Sequence, residues 1–120
     1  MKIKIPIKTV SEANTSEHWT KAHKRHKAQK RSIRLYIGTK LDGYKIPCLI
    51  KLTRIAPRKL DSADNLPMAF KFITDAICEI IVPGLKAGRA DDHGFTIEYD
   101  QRKGEVKEYA IEIEVTQIEE

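Results

Sequence analysis

The chain reads as an α+β protein in which a mostly antiparallel sheet packs against a central helix. Three observations carry that expectation. Segments 2–8, 44–55, 95–101 and 106–115 show the period-two alternation or turn-bounded apolar runs of strands. Leu66, Ala69, Phe70, Ile73, Ile77, Ile80 and Ile81 recur at helical spacing, forming an apolar stripe over about four turns. The predicted order, strand, helix, strand, helix, strand, strand, ends on two neighbours joined by Arg102-Lys103-Gly104-Glu105, which reads as a hairpin. With 120 residues the chain supports one core and not two, so residues 1–120 are expected to form a single domain.

The elements follow in order. Lys2-Ile3-Lys4-Ile5, then Ile7-Lys8, alternates as a first strand. Ser11 to Ser16 is polar and loop-like, and Thr15 or Ser16 can cap a helix over 16–31, with Glu17 set against its N-terminal dipole. Its inward stripe, Trp19, Ala22, His23, His26 and Gln29 or Lys30, is weakly apolar. Ile33 to Ile37 fits a short strand and the last turn of that helix equally well. Gly38 to Gly43 marks a turn. In the next strand Ile46, Cys48, Ile50 and Leu52 share a face, and Pro47 points to a sheet edge because proline has no N–H for the ladder. Asp64 or Asn65 is the natural cap of the central helix, Pro67 suits its first turn, and Pro83-Gly84 ends it. In the last strand Tyr109, Ile111, Ile113 and Val115 are expected to face inward, with Glu108, Glu112 and Glu114 toward water.

Bulk properties narrow the class. No apolar run approaches the roughly 20 residues that span a bilayer, and the N-terminus lacks the unbroken apolar stretch of a signal peptide. Cys48 and Cys78 sit in apolar surroundings and read as free buried thiols, which points to a reducing cytoplasm. No cysteine or histidine cluster has zinc spacing. The formal charge is +5, and its distribution is uneven. Residues 21–34 hold seven Lys or Arg (Lys21, Lys24, Arg25, Lys27, Lys30, Arg31, Arg34) and no acid, while Glu105, Glu108, Glu112, Glu114, Glu119 and Glu120 make the C-terminal part acidic. One face is thus suited to a polyanion and another turned from it.

Within this basic chain, two acidic pairs flank the central helix: Asp61 with Asp64 before it, and Asp91-Asp92 after it. Each pair alone is explained as a cap or a polar turn. Together they can form an oxygen-only ligand set for Mg²⁺ or Mn²⁺, if the strand starting near Gly94 lies beside the one ending at Ile55 and brings both pairs to one sheet edge.

Asp61-Ser-Ala-Asp64-Asn65, then Lys71 and Asp75 along the helix, then Asp91-Asp92, resembles the signature of the RusA-like crossover junction endodeoxyribonucleases. The likeness covers about residues 44–116. It departs in two places: two residues separate the first aspartates where the family commonly has one, and Met68 holds the family's usual lysine position, with Lys71 a turn further along. The resemblance implies a RusA-like fold and a homodimeric, Mg²⁺-dependent nuclease of DNA recombination and repair, nicking opposing strands of four-way (Holliday) junctions symmetrically. It implies Asp61, Asp64 and Asp92 as metal-binding carboxylates, with Asp91 as the alternate for Asp92. Lys71 would neutralise charge on the phosphoryl group. Lys24, Arg25, Lys27, Lys30, Arg31 and Arg34, with Arg54, Arg58 and Lys59 beside the acidic loop, would hold the DNA backbone without reading sequence. His23, His26 and His93 are lesser candidates for a general base, and Trp19 is expected to pack on the sheet rather than stack on a base. Two other readings remain: a non-catalytic basic nucleic-acid-binding module of the same fold, and a small interaction protein with incidental carboxylates.

Overall fold

Period-two alternation in the strands becomes one dry and one wet face of a four-stranded sheet. The computed structural model describes residues 1–9, 19–60, 65–85 and 94–118. Its elements are β1 (Lys2–Ile5), α1 (Trp19–Ile37), β2 (Cys48–Ala56), α2 (Asn65–Ala69), α3 (Lys71–Ile81), β3 (Phe95–Lys103) and β4 (Ala110–Gln117). The sheet order is β1-β4-β2-β3. Both β1 and β2 pair antiparallel with β4, whereas β2 and β3 are parallel. Hence β1, β2 and β3 run one way and β4 the other. The α+β class is as expected, but the sheet is mixed.

The expected hairpin does not form, because β2 lies between β3 and β4. The reason is burial. Cys48, Ile50, Leu52 and Ile55 of β2 are each at most 1% exposed, so β2 takes the interior place beside β4, and the mostly exposed β3 lies at the edge. The connection after β3 crosses the end of β2, where the Gly104 N–H donates to the Ala56 carbonyl at 2.8 Å. For the same reason the edge expected at Pro47 is wrong: β2 is an interior strand, and its ladder begins at Cys48, just past the proline. Tyr109 also departs from expectation. It precedes β4, is 36% exposed, and carries the Lys8 ammonium 4.7 Å over its ring.

Rows of register partners show the two faces. Ile3, Ile113 and Leu52 form one dry row, which ends at the partly exposed Tyr99 on the edge strand, and Ile5, Ile111, Arg54 and Gln101 form the next. On the wet face, Lys2, Glu114, Lys51 and Glu98 alternate in sign across all four strands. The acidic strand therefore lies between lysines, and its negative charge is largely offset locally; opposite charges facing across strands stabilise by roughly 0.2–1 kcal/mol a pair. Arg102 reaches across β2 to Glu112 at 2.7 Å, and that bond holds the Glu112 carboxyl below its ordinary range.

The three helices cover the dry face, and Ile33, Ile37, Phe70, Ile73 and Ile77 join the sheet's residues in one core. The segment left open between strand and helix is helical: α1 continues to Ile37, with Ile33 and Ile37 buried one turn apart. Gly38 ends it at a φ of 53°, where a side chain would be strained, and its N–H donates to the Arg34 carbonyl. The central helix is interrupted. At Phe70 (φ −104°, ψ 3°) the N–H bonds to Pro67, three residues back, and its carbonyl accepts from Thr74, so α3 resumes at once. Phe70, Ile73 and Ile77 are fully buried; each such side chain contributes about 1.5–3 kcal/mol before the cost of ordering it. Trp19 does not pack on the sheet. It is 73% exposed. Cys48 and Cys78 are buried thiols outside any disulfide, and burial raises the Cys48 pKa. Among the described residues no helix is long and apolar enough to cross a membrane.

Candidate functional site

Asp61, Asp64, Asp91 and Asp92 lie outside the described residues, as do Thr15, Ser16, Glu17, His18 and His93. Their described neighbours fix where each acidic segment leaves the body. Leu60 is held by Gln101: its N–H donates to Gln101 Oε1 at 2.9 Å, and its carbonyl accepts from Gln101 Nε2 at 2.8 Å. A glutamine amide thus pairs with one residue's backbone as an adjoining strand would. Next to it, Arg54 faces Gln101 across the β2–β3 ladder. Its Nε donates to Thr9 Oγ1 at 2.9 Å and a terminal nitrogen to the Arg58 carbonyl at 2.6 Å. These two side chains gather the exits of β1 and β2 and the approach to Asp61 at the carboxyl end of the parallel strands, where open α/β sheets place their ligands.

This corrects the expectation for Arg54. At 8% exposure it is no backbone-binding cation. It occupies the dry parity of Cys48, Ile50 and Leu52, and burial lowers its pKa. That parity, two steps beyond Leu52, was the signal in the sequence. Gln101 was missed altogether; it shares the dry parity of Phe95 and Ile97, where a glutamine needs a partner.

Arg58 and Lys59 are exposed on the connection after β2. Lys71 opens α3, is exposed, and places its ammonium 5.3 Å over the Phe72 ring. Phe72 in turn stacks on His26 of α1, with ring centroids 3.6 Å apart and planes 19° off parallel, and Arg25 contacts the same imidazole at 3.3 Å. His26 is therefore half-buried in a stack, while His23 is exposed. Further along, Arg34 pairs with Glu79 at 3.4 Å. With 26 beside 72 and 34 beside 79, α1 and α3 run parallel to each other. The Lys24–Lys27 turn of α1 thus lies at the level of Lys71. Of the basic residues on α1, Lys24, Lys27, Arg31 and Arg34 are exposed, and Arg25 and Lys30 are half-buried.

The second acidic segment returns elsewhere. Gly94 bonds through its carbonyl to the Cys48 N–H at 3.1 Å, and a Cβ on it would meet Ile46 Cβ at 3.3 Å, so the chain enters β3 beside the start of β2. Parallel pairing puts that entry at the opposite end of β3 from Leu60. Six strand steps separate Phe95 from Gln101, about 20 Å. The strands do lie side by side, but parallel rather than antiparallel, so their acidic neighbours leave the sheet at opposite ends. Three residues extend at most about 10 Å, so Asp91 meets Asp61 only if both segments reach toward each other. Among the described residues no group of three or more His, Cys, Asp or Glu could hold a metal ion.

No protein-family model matches the chain, and no curated protein matches it.

Proposed function

We propose that the chain is a Mg²⁺-dependent, structure-specific endodeoxyribonuclease of RusA-like type that resolves four-way DNA junctions by symmetric nicking as a homodimer. The observation that carries this reading is that the exposed Arg58, Lys59 and Lys71 flank Asp61 and Asp64 along the chain, while the acid-free α1 packs beside α3. Carboxylates flanked in sequence by cations suit a phosphodiester backbone. Asp61, Asp64 and Asp92, with Asp91 as alternate, are all oxygen donors, the chemistry that suits Mg²⁺ or Mn²⁺. Such an ion, when bound, supplies Lewis-acid activation of the phosphodiester. Lys71 offsets negative charge on the phosphoryl oxygens. Lys24, Lys27 and Arg31, together with Arg58 and Lys59, hold the strand on either side. Gln101 and Arg54 keep the approach to Asp61 in register.

A second reading, a non-catalytic nucleic-acid-binding module, is favoured by the placement of Gly94 at the far end of β3. Cleavage of a synthetic four-way junction in Mg²⁺ distinguishes the two. The wild type is expected to nick it, and Asp64→Asn to bind the junction as well or better while nicking nothing. Binding by the wild type without cleavage in Mg²⁺ or Mn²⁺ selects the binding module. Absence of binding by either protein at low salt rejects both and leaves an interaction protein.

A further inference from the structure

α1 turns its buried side chains, Gln29, Ile33 and Ile37, to one side and a continuous cationic surface to the other. At about 100° per residue, Lys21, Lys24, Lys27, Arg31, Arg34 and Leu35 fall within one outward arc of about 140°. Every one of them is exposed. Lys21 lies at one edge of the arc, Lys27 and Arg34 at the other, and Lys24, Arg31 and Leu35 between them. No acidic residue occurs between Trp19 and Ile37. Among the described residues, Arg34 alone of these cations is held in an ion pair, with Glu79 at 3.4 Å. From Lys21 to Arg34 the array runs about 20 Å along the helix axis.

The width of the arc selects the partner. A flat anionic surface, whether a bilayer or the acidic face of a folded protein, meets only the outermost strip of a helix. The cations at the two edges then go unmatched. A bilayer also holds an interfacial helix through a broad apolar face, and the arc offers only Leu35, 71% exposed. One nucleic-acid strand laid along the helix follows a single edge. Negative charge on both sides of a cylinder calls for a groove with anionic walls. A helix with its side chains is about 10–12 Å across. The major groove of B-form DNA is about 12 Å wide and the minor groove about 6 Å. In duplex RNA the major groove is too narrow for side chains to read.

We propose that α1 lies lengthwise in the major groove of a DNA duplex, with Lys21 against the phosphates of one wall and Lys27 and Arg34 against those of the other. Lys24 and Arg31 face the groove floor, where guanine offers O6 and N7 as acceptors, and Leu35 meets thymine methyl groups. This seating rests on the nucleic-acid reading above, to which it adds duplex DNA as the form bound and the groove that binds it. It requires no metal.

The full chain is titrated in chelator, which prevents cleavage, against a fluorescein-labelled unbranched DNA duplex, with anisotropy as the readout. An RNA duplex of the same sequence, a single DNA strand with as many phosphates, polyglutamate and anionic phospholipid vesicles serve as comparisons. The DNA duplex should bind about tenfold or more tighter than the RNA duplex or the single strand. Netropsin, which fills the minor groove, should leave that affinity unchanged. Each phosphate contact contributes about −0.9 to the slope of log affinity against log salt. Lys21→Gln and Lys27→Gln should therefore each make the slope shallower by about 0.9, and the double variant by about 1.8. Lys45→Gln, an exposed lysine far along the chain from α1, should keep the wild-type slope. Matching thermal melts of the variants exclude misfolding. Equal affinity for the two duplexes, a slope change in only one of Lys21→Gln and Lys27→Gln, displacement by netropsin, or tighter binding to polyglutamate or vesicles overturns the proposal. A chain that cuts junctions without the two-edge response defeats this inference only. One that shows the two-edge response but never cuts in Mg²⁺ defeats the nuclease reading only.

Discussion

Replacing Gln101 with alanine tests how the fold sets the approach to the acidic segment. The substitution removes two hydrogen bonds, at 2.9 and 2.8 Å, that join Leu60 to a strand 41 residues away. Each is worth about 0.5–1.5 kcal/mol net. Gln101 is half-buried, so water recovers part of what is lost, and the expected cost is about 1–2 kcal/mol. For a chain of this length that lowers Tm by about 4–8 °C. The local effect is more diagnostic. Leu60 amide exchange should accelerate about 5- to 30-fold, while exchange in the middle of β2 follows only the global loss. Gln101→Glu should fall between, because it keeps the acceptor for the Leu60 N–H and loses the donor to its carbonyl. Thr96→Ala, an exposed position on the same strand, should stay within about 0.5 kcal/mol of wild type. Hydrogen exchange by NMR and thermal denaturation are the assays. If Leu60 exchanges at the wild-type rate in Gln101→Ala, the clamp does not hold this connection and the reasoning fails.

Two further outcomes are expected. Phe70→Ala, at the fully buried joint of α2 and α3, should cost about 3–5 kcal/mol by chemical denaturation; a loss below about 1 kcal/mol would mean the joint is not part of the core. Glu112 has its pKa depressed first by the Arg102 hydrogen bond, so its folded form binds its proton less readily than its unfolded form. Its stabilising contribution is present above the ordinary glutamate pKa and lost as pH falls through the depressed value. Arg102→Met should raise the Glu112 pKa toward the ordinary range in an NMR titration and flatten the acid limb of the stability profile. An unchanged titration would rule out the pair as the cause.

Much of the fold was legible because burial here follows simple periods. The stripe from Leu66 to Ile81 located the helical face against the core, and Ile111, Ile113 and Val115 located the dry side of β4. Partner choice was not legible. Lys and Glu alternate in β1 and β4, and such alternation says which face is wet but nothing of whether β2 or β3 lies alongside. The sequential neighbours β3 and β4 looked like a hairpin, but the buried β2 takes the place between them. Parity was available for Arg54 and passed over, since a cation near an acidic loop invited a ligand role while two steps beyond Leu52 pointed into the core. The exposure of Trp19 had no local signature, because a tryptophan on a weakly apolar helix stripe fits packing as well as display. At the candidate site, residue type and order pointed to carboxylate chemistry, but the direction of β3 relative to β2 decides how far apart the two acidic segments leave the sheet. Strand direction is set by the α2–α3 crossover and by pairing with β2, neither of which any short motif encodes.

Mn²⁺ binding, followed by calorimetry across the wild type, Asp64→Asn, Asp92→Asn and the double variant, bears most directly on a shared ion. If both acidic segments ligate the same Mn²⁺, each single substitution should weaken one and the same binding event at least tenfold, and the double variant should lose much less than the sum of the two. Independent, additive losses, or no effect of Asp92→Asn, would place the segments at separate sites and contradict the nuclease account.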